Sequence, residues 1–220
     1  MQTDVDHNKI IKRIANATLK PNGLFQKGTS RVWIDDNGWY LIIVEFQPSA
    51  WSKGTYLNVG IHYLWDEQEY LSFDYGNRVA GFAAFDGNEE KFTEDVERLS
   101  KMAMDRVVEY RKFRDLEHAR ASILQRKSHH VVKMLYSQMM ICGLCKDQST
   151  AGYCRLLMDA LVATDLEWTR KYSLELREKI VPIIHDPERF YRYICDKIES
   201  QRNFWRSKSS MKKLNETFTV

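Results

Sequence analysis

The stretch Arg31-Val32-Trp33-Ile34-Asp35-Asp36-Asn37-Gly38-Trp39-Tyr40-Leu41-Ile42-Ile43-Val44-Glu45-Phe46-Gln47 decides the fold. Two runs rich in β-branched and aromatic residues flank Asp36-Asn37-Gly38. Asn-Gly tolerates positive φ in a tight turn, so the pattern predicts a β-hairpin with strands over 31–35 and 39–47. Residues 39–44 are apolar on both faces, which places that strand centrally in a sheet.

Working outward, residues 55–65 alternate: Leu57, Val59, Ile61, Tyr63 and Trp65 point one way, Tyr56, Asn58, Gly60 and His62 the other. Residues 70–75 and 79–85 read as two more strands, joined at Gly76-Asn77. Upstream, Ile10, Ile11, Ile14 and Ala15 fall at helical spacing over 8–19, and Pro21-Asn22-Gly23 stops that helix. Beyond Asp86 the rhythm changes from two to three and four. Phe92, Val96, Leu99, Ala103, Val107, Tyr110, Phe113 and Leu116 predict one long helix over 89–125. At about 1.5 Å per residue it exceeds about 50 Å unless it kinks.

Further helices are expected over 129–142, 150–163, 166–181 and 187–206, with Gly143 at a helix end and Asp186-Pro187 as a start signal. The fold class is therefore α+β. An N-terminal helix packs on an antiparallel β-meander of about five strands, followed by a long helix and an all-helical C-terminal half. The expected organisation is 1–90 for the helix-plus-sheet unit, 91–206 for the helical region and 207–220 for a flexible tail.

The chain has 220 residues, 44% hydrophobic and 29% charged, enough to bury a core in one large domain or two small ones. Its longest apolar patch falls far short of the roughly 18 residues of a membrane helix. The polar start, with Asp4 and Asp6, lacks the pattern of a secretory signal. All four cysteines lie in the second half, which fits a reducing compartment, and the expected location is the cytoplasm. The net charge of +3 is uneven. Residues 1–90 carry 8 Lys+Arg against 12 Asp+Glu (−4), and the remainder 25 against 18 (+7).

Leu19-Lys20-Pro21, Gly23-Leu24-Phe25-Gln26-Lys27-Gly28, Val44-Glu45-Phe46-Gln47-Pro48-Ser49-Ala50-Trp51 and Tyr56-Leu57-Asn58-Val59-Gly60 together resemble the bacterial domain-of-unknown-function family 4304. The resemblance covers about residues 9–114. It departs where Leu24 intervenes after the proline turn. It implies an α+β fold in a bacterial protein and carries no activity with it.

Three groups of residues can carry chemistry. The first is the polar face of the sheet, where Glu45, Gln47, Asn58, His62 and Asp74 converge if their strands are neighbours; Trp51, in the adjoining connection, can anchor a partner. A histidine near carboxylates can act as acid or base. Asp35 or Asp36 with Glu45-x-Gln47 also loosely matches a paired-acid cradle for a divalent cation. The second is Cys142-Gly143-Leu144-Cys145, either buried thiols, half a metal site or a redox pair; His129, His130, Cys154, His185 and Cys195 are the other ligand types available. The third is the basic, aromatic stretch Arg202, Phe204, Trp205, Arg206, Lys208, Lys212 and Lys213, a candidate nucleic-acid contact.

No glycine-rich phosphate loop or nucleophile elbow is present. The expected function is a non-enzymatic binding or interaction module of a bacterial cytoplasm. Its partner is another protein, with no cofactor and no membrane. One alternative is a hydrolytic or metal-dependent enzyme using the sheet's polar face; Glu45, His62 and Asp74 lining one cleft would favour it. The other is nucleic-acid binding through the basic helical half.

Overall fold

The computed structural model describes residues 6–164 and 166–215. They form two compact units, one of residues 6–111 with 201–215 and one of residues 112–200.

The first unit begins with α1 (His7–Leu19), capped by the Asp6 carboxylate on the Asn8 N–H. A 3-10 turn over Lys20–Asn22 and Gly23 at φ +90° end it where the proline signal sits. Five strands follow: β1 (Phe25–Gln26), β2 (Val32–Asp36), β3 (Tyr40–Gln47), β4 (Gly54–Tyr63) and β5 (Tyr75–Ala84). They form one antiparallel meander in chain order. The hairpin turns at Asn37-Gly38, with Gly38 at φ +81°.

Two strands differ from expectation. β1 is two residues long, too short for a periodic signal. The two strands expected over 70–85 are one strand, β5, running through Gly76. Gly76 does have a turn-like φ of +99°, yet it sits opposite Gly60 inside the ladder. A Cβ there would lie 2.5 Å from the Val59 carbonyl oxygen and 2.9 Å from the Tyr110 hydroxyl. Glycine serves close backbone approach at this position, not chain reversal. Register shifts along β5 bend this edge strand, a common way of blunting an edge.

One face of the sheet packs under α2 (Glu89–Arg111), which in turn packs on α1. Trp33, Ile42, Val44, Phe46, Leu57, Val59 and Ile61 are buried there. Each such side chain contributes about 1.5–3 kcal/mol by leaving water. The Tyr40 hydroxyl donates to the Tyr110 carbonyl (2.9 Å), and the Trp33 indole N–H to Asn16 Oδ1 (3.0 Å). α2 thus belongs with the sheet rather than with the helical half, because its buried stripe from Phe92 to Tyr110 is the sheet's cover.

The helix expected over 89–125 breaks after Arg111 into a 3-10 turn and α3 (Leu116–Gln125). Neither glycine nor proline marks the break. Asp115 leaves helical geometry (φ −78°, ψ 112°) and accepts from the Glu117 and His118 N–H groups, so capping starts a new helix.

The second unit continues with α4 (Val131–Leu144), α5 (Thr150–Val162), α6 (Arg170–Glu175) and the first part of α7 (Pro187–Ser207). Gly143 is not the terminator of α4. It lies inside the helix, where a Cβ would be 2.3 Å from the Phe190 ring. The left-handed terminal position is Lys146 (φ 52°), with Lys146 N–H donating to the Gly143 carbonyl and Asp147 N–H to the Cys142 carbonyl. The helix expected over 166–181 is a 3-10 turn, α6 and a π turn over Leu176–Ile180. Next to the π turn, Glu175 accepts from the Tyr136 and Tyr193 hydroxyls and from Lys197 Nζ (2.6 Å).

α7 carries the chain back into the first unit. The tail expected to be flexible is docked from 207 to 215: Met211 and Leu214 are buried. Residues 216–220 lie outside the described residues. Among the described residues, no helix is long and apolar enough to cross a membrane.

Candidate functional site

The sheet's second face carries the polar candidates. Its rungs between β3 and β4 are Gln47 opposite Tyr56, Glu45 opposite Asn58, Ile43 opposite Gly60, and Leu41 opposite His62. Arg78 of β5 continues the Glu45–Asn58 rung. Asn58 and His62 are four residues apart, about 13 Å along an extended strand. That spacing divides the candidates into two groups.

The first group is an open patch. The Asn58 amide donates to Glu45 Oε2 (2.9 Å) and to Gln47 Oε1 (2.9 Å), which uses both its N–H bonds. Arg78 donates to the same Gln47 oxygen (3.1 Å), and its guanidinium lies 3.9 Å over the Tyr56 ring. Tyr56 also packs against Phe82 (4.8 Å between centroids). Glu45, Gln47 and Tyr56 are half-buried and Arg78 is exposed. The connection from Gln47 to β4 carries Trp51, which is 93% exposed.

The second group is built around a sealed histidine, with Ser72 and Asp74 half-buried beside it. His62 is fully buried. Its Nδ1 lies 3.3 Å from Asp74 Oδ2 and 3.3 Å from Ser72 Oγ. Ser72 Oγ donates to Asp74 Oδ1 (2.9 Å), and the Tyr63 N–H to Asp74 Oδ2 (2.8 Å). Burial alone would raise the Asp74 carboxyl's pKa. The bond and charge of His62, with the Tyr63 N–H and Ser72, outweigh burial and hold it below the usual carboxylate value. Ser72 and Asp74 meet the same ring nitrogen. A nucleophile–base–acid relay needs them on opposite nitrogens, and among the described residues His62 Nε2 has no hydrogen-bond partner. The Trp205 ring sits edge-to-face on His62 instead (6.1 Å).

Glu45, His62 and Asp74 therefore do not line one cleft. Asp35 and Asp36, adjacent on β2, point to opposite faces. Asp35 pairs with Arg111 (2.8 and 2.9 Å), and Asp36 with Arg202 (2.7 Å to each oxygen). They form no common cation cradle.

Cys142 and Cys145 occupy the last turn of α4. Ser149 Oγ donates to Cys142 Sγ (3.5 Å), and Cys145 Sγ to the Leu116 carbonyl (3.8 Å). Burial pushes both thiols up, Cys145 to about 11 with Glu117 adding to the effect. Thiols so raised are poor nucleophiles at neutral pH. His130 stands at the opposite end of α4, about 18 Å away at helical rise. Among the described residues no three His, Cys, Asp or Glu side chains gather as a metal cage requires. Nearby, a cavity of about 200 Å³ is lined by Gly143, Lys146, Thr150, His185 and Phe190, but Lys146 is paired with Glu188 (2.7 Å).

Of the basic stretch, Arg202 and Trp205 are buried and Arg206 is half-buried. Lys208, Lys212 and Lys213 are exposed, Lys208 lying 4.3 Å over the Phe204 ring. Arg202 is committed to Asp36 and is closed to nucleic acid.

Arg78 joins the open patch without having been picked out from the sequence, whereas Tyr56 and Ser72 lie on the faces of Asn58 and Asp74 where the alternation puts them. Reading 75–84 as one strand would have placed Arg78 beside Asn58. No protein family, no curated protein and no solved structure matches the chain.

Proposed function

We propose that this protein is a non-enzymatic interaction module that contacts another protein through the open half of the sheet's second face. Trp51 is the observation that carries the reading. A tryptophan is seldom left so exposed, and one beside a fixed polar patch has the chemistry of an interface anchor. The amide of Asn58 fixes Glu45 and Gln47, and Arg78 is held by both Gln47 and Tyr56, so little side-chain freedom remains to be lost on binding. The split between Glu45 and the His62–Asp74 pair counts against the hydrolytic alternative. Four unbridged cysteines support a reducing, cytoplasmic setting. The likeness to the bacterial family stands beside this reading and does not carry it.

A photoreactive residue in place of Trp51, and in a second variant in place of the exposed Val108 of α2, tests the proposal in cells. A discrete cross-linked protein adduct is expected from position 51 and not from 108. Equal labelling at the two positions, or none at 51, contradicts it.

A further inference from the structure

The half of the second face that Trp51 does not border is covered by the chain's own residues 201–215. Arg202 reaches Asp36 with two nitrogens and also donates to the Gly38 carbonyl (2.7 Å). The Asn215 N–H meets the same carboxylate (2.9 Å). Gln201 donates to the Gln68 carbonyl, Trp205 seats on His62, and Met211 and Leu214 are buried. The polar anchorage is thus concentrated on one side chain, Asp36.

The covered polar surface is poorly matched. His62 Nε2, Trp205 Nε1 and Gln68 Oε1 are all buried, and none has a hydrogen-bond partner among the described residues. Whichever tautomer His62 adopts, Nε2 stays unsatisfied, because Asp74 and Ser72 both engage Nδ1. Each such atom regains a water partner when the segment lifts. Opening therefore recovers part of what it loses in apolar contact.

Resting on the reading of the open patch as a contact surface, we propose that residues 201–215 are a displaceable strap regulating the extent of that surface. Closed, the strap limits the surface to the rungs of Glu45 and Gln47. Open, it adds Ile43, Leu41 and His62 on the same two strands.

Native-state hydrogen exchange on the full chain tests this without any partner. Strap amides over 201–214 are expected to exchange about 100-fold or more faster than those of β3, through an opening that leaves β3 protected. Asp36→Asn should widen the gap by speeding the strap alone. Strap and β3 amides exchanging together in the wild-type chain, through global unfolding only, overturn the proposal whether or not the variant folds. A missing cross-link at position 51 would sink the contact reading and leave the exchange result standing.

Discussion

Asn58 and His62 share one face of one strand, yet one borders an open patch and the other is sealed. The difference is not in β4, whose alternation is the same at both. It lies in what arrives from far along the chain. Residues 201–215 come to rest on the rung of His62 and stop short of the rung of Asn58. A sheet face has its polarity written into the strands, but its exposure is decided by a segment more than a hundred residues away. Two polar residues of one strand face then part ways: Asn58 holds half-buried Glu45 and Gln47 at the edge of the open patch, and His62, two rungs on, is a buried internal partner.

Substitutions can break this comparison. The largest effect is expected for Asp36→Ala, which leaves Arg202 buried without its carboxylate. A loss of about 3–5 kcal/mol in chemical denaturation follows for a broken buried pair; a loss below about 1 kcal/mol would mean that the sealed half is not held as described. Acid attacks the same half through Asp74. Its carboxyl is depressed in the folded state, so its contribution is full above the ordinary carboxylate pKa of about 4 and fades as pH falls through the lower folded value. Asp74→Asn should flatten the acid limb of a stability–pH curve, and an unchanged limb would contradict the assignment.

Between the halves, Gly60→Ala would set a Cβ 2.3 Å from the Phe73 ring and 2.6 Å from the Tyr75 carbonyl oxygen. A loss of about 2 kcal/mol is expected from overpacking, read as a lower melting temperature. In the open half, Asn58→Ala removes two hydrogen bonds at a partly solvated site and should cost about 1 kcal/mol. Smallest of all, Trp51→Ala should shift stability by less than about 0.5 kcal/mol. A larger loss would show that Trp51 packs in the fold rather than serving a partner.

Much of the first unit was legible because its signals are local. Asn37-Gly38 sits between two β-rich runs, and residues 55–65 alternate cleanly. Misreadings came where one local signal has two physical meanings. Gly76 tolerates positive φ whether the chain turns or merely passes close to Gly60. Asp115 is ordinary in a helix until the backbone bends and makes it a cap. At the site, Glu45, Gln47 and Asn58 were legible as a group because register follows from the hairpin. The Asp36–Arg202 pair and the docking of Met211 and Leu214 were not, since nothing local announces a contact across 166 positions.

Brief hydroxyl-radical footprinting of the full chain, read by mass spectrometry, tests the division of the face most directly. Trp51 and Tyr56 should be modified readily, while Trp205, under the closed strap, and Trp39 are protected over the brief labelling. Modification of Trp205 at the rate of Trp51 in the folded chain would contradict the account.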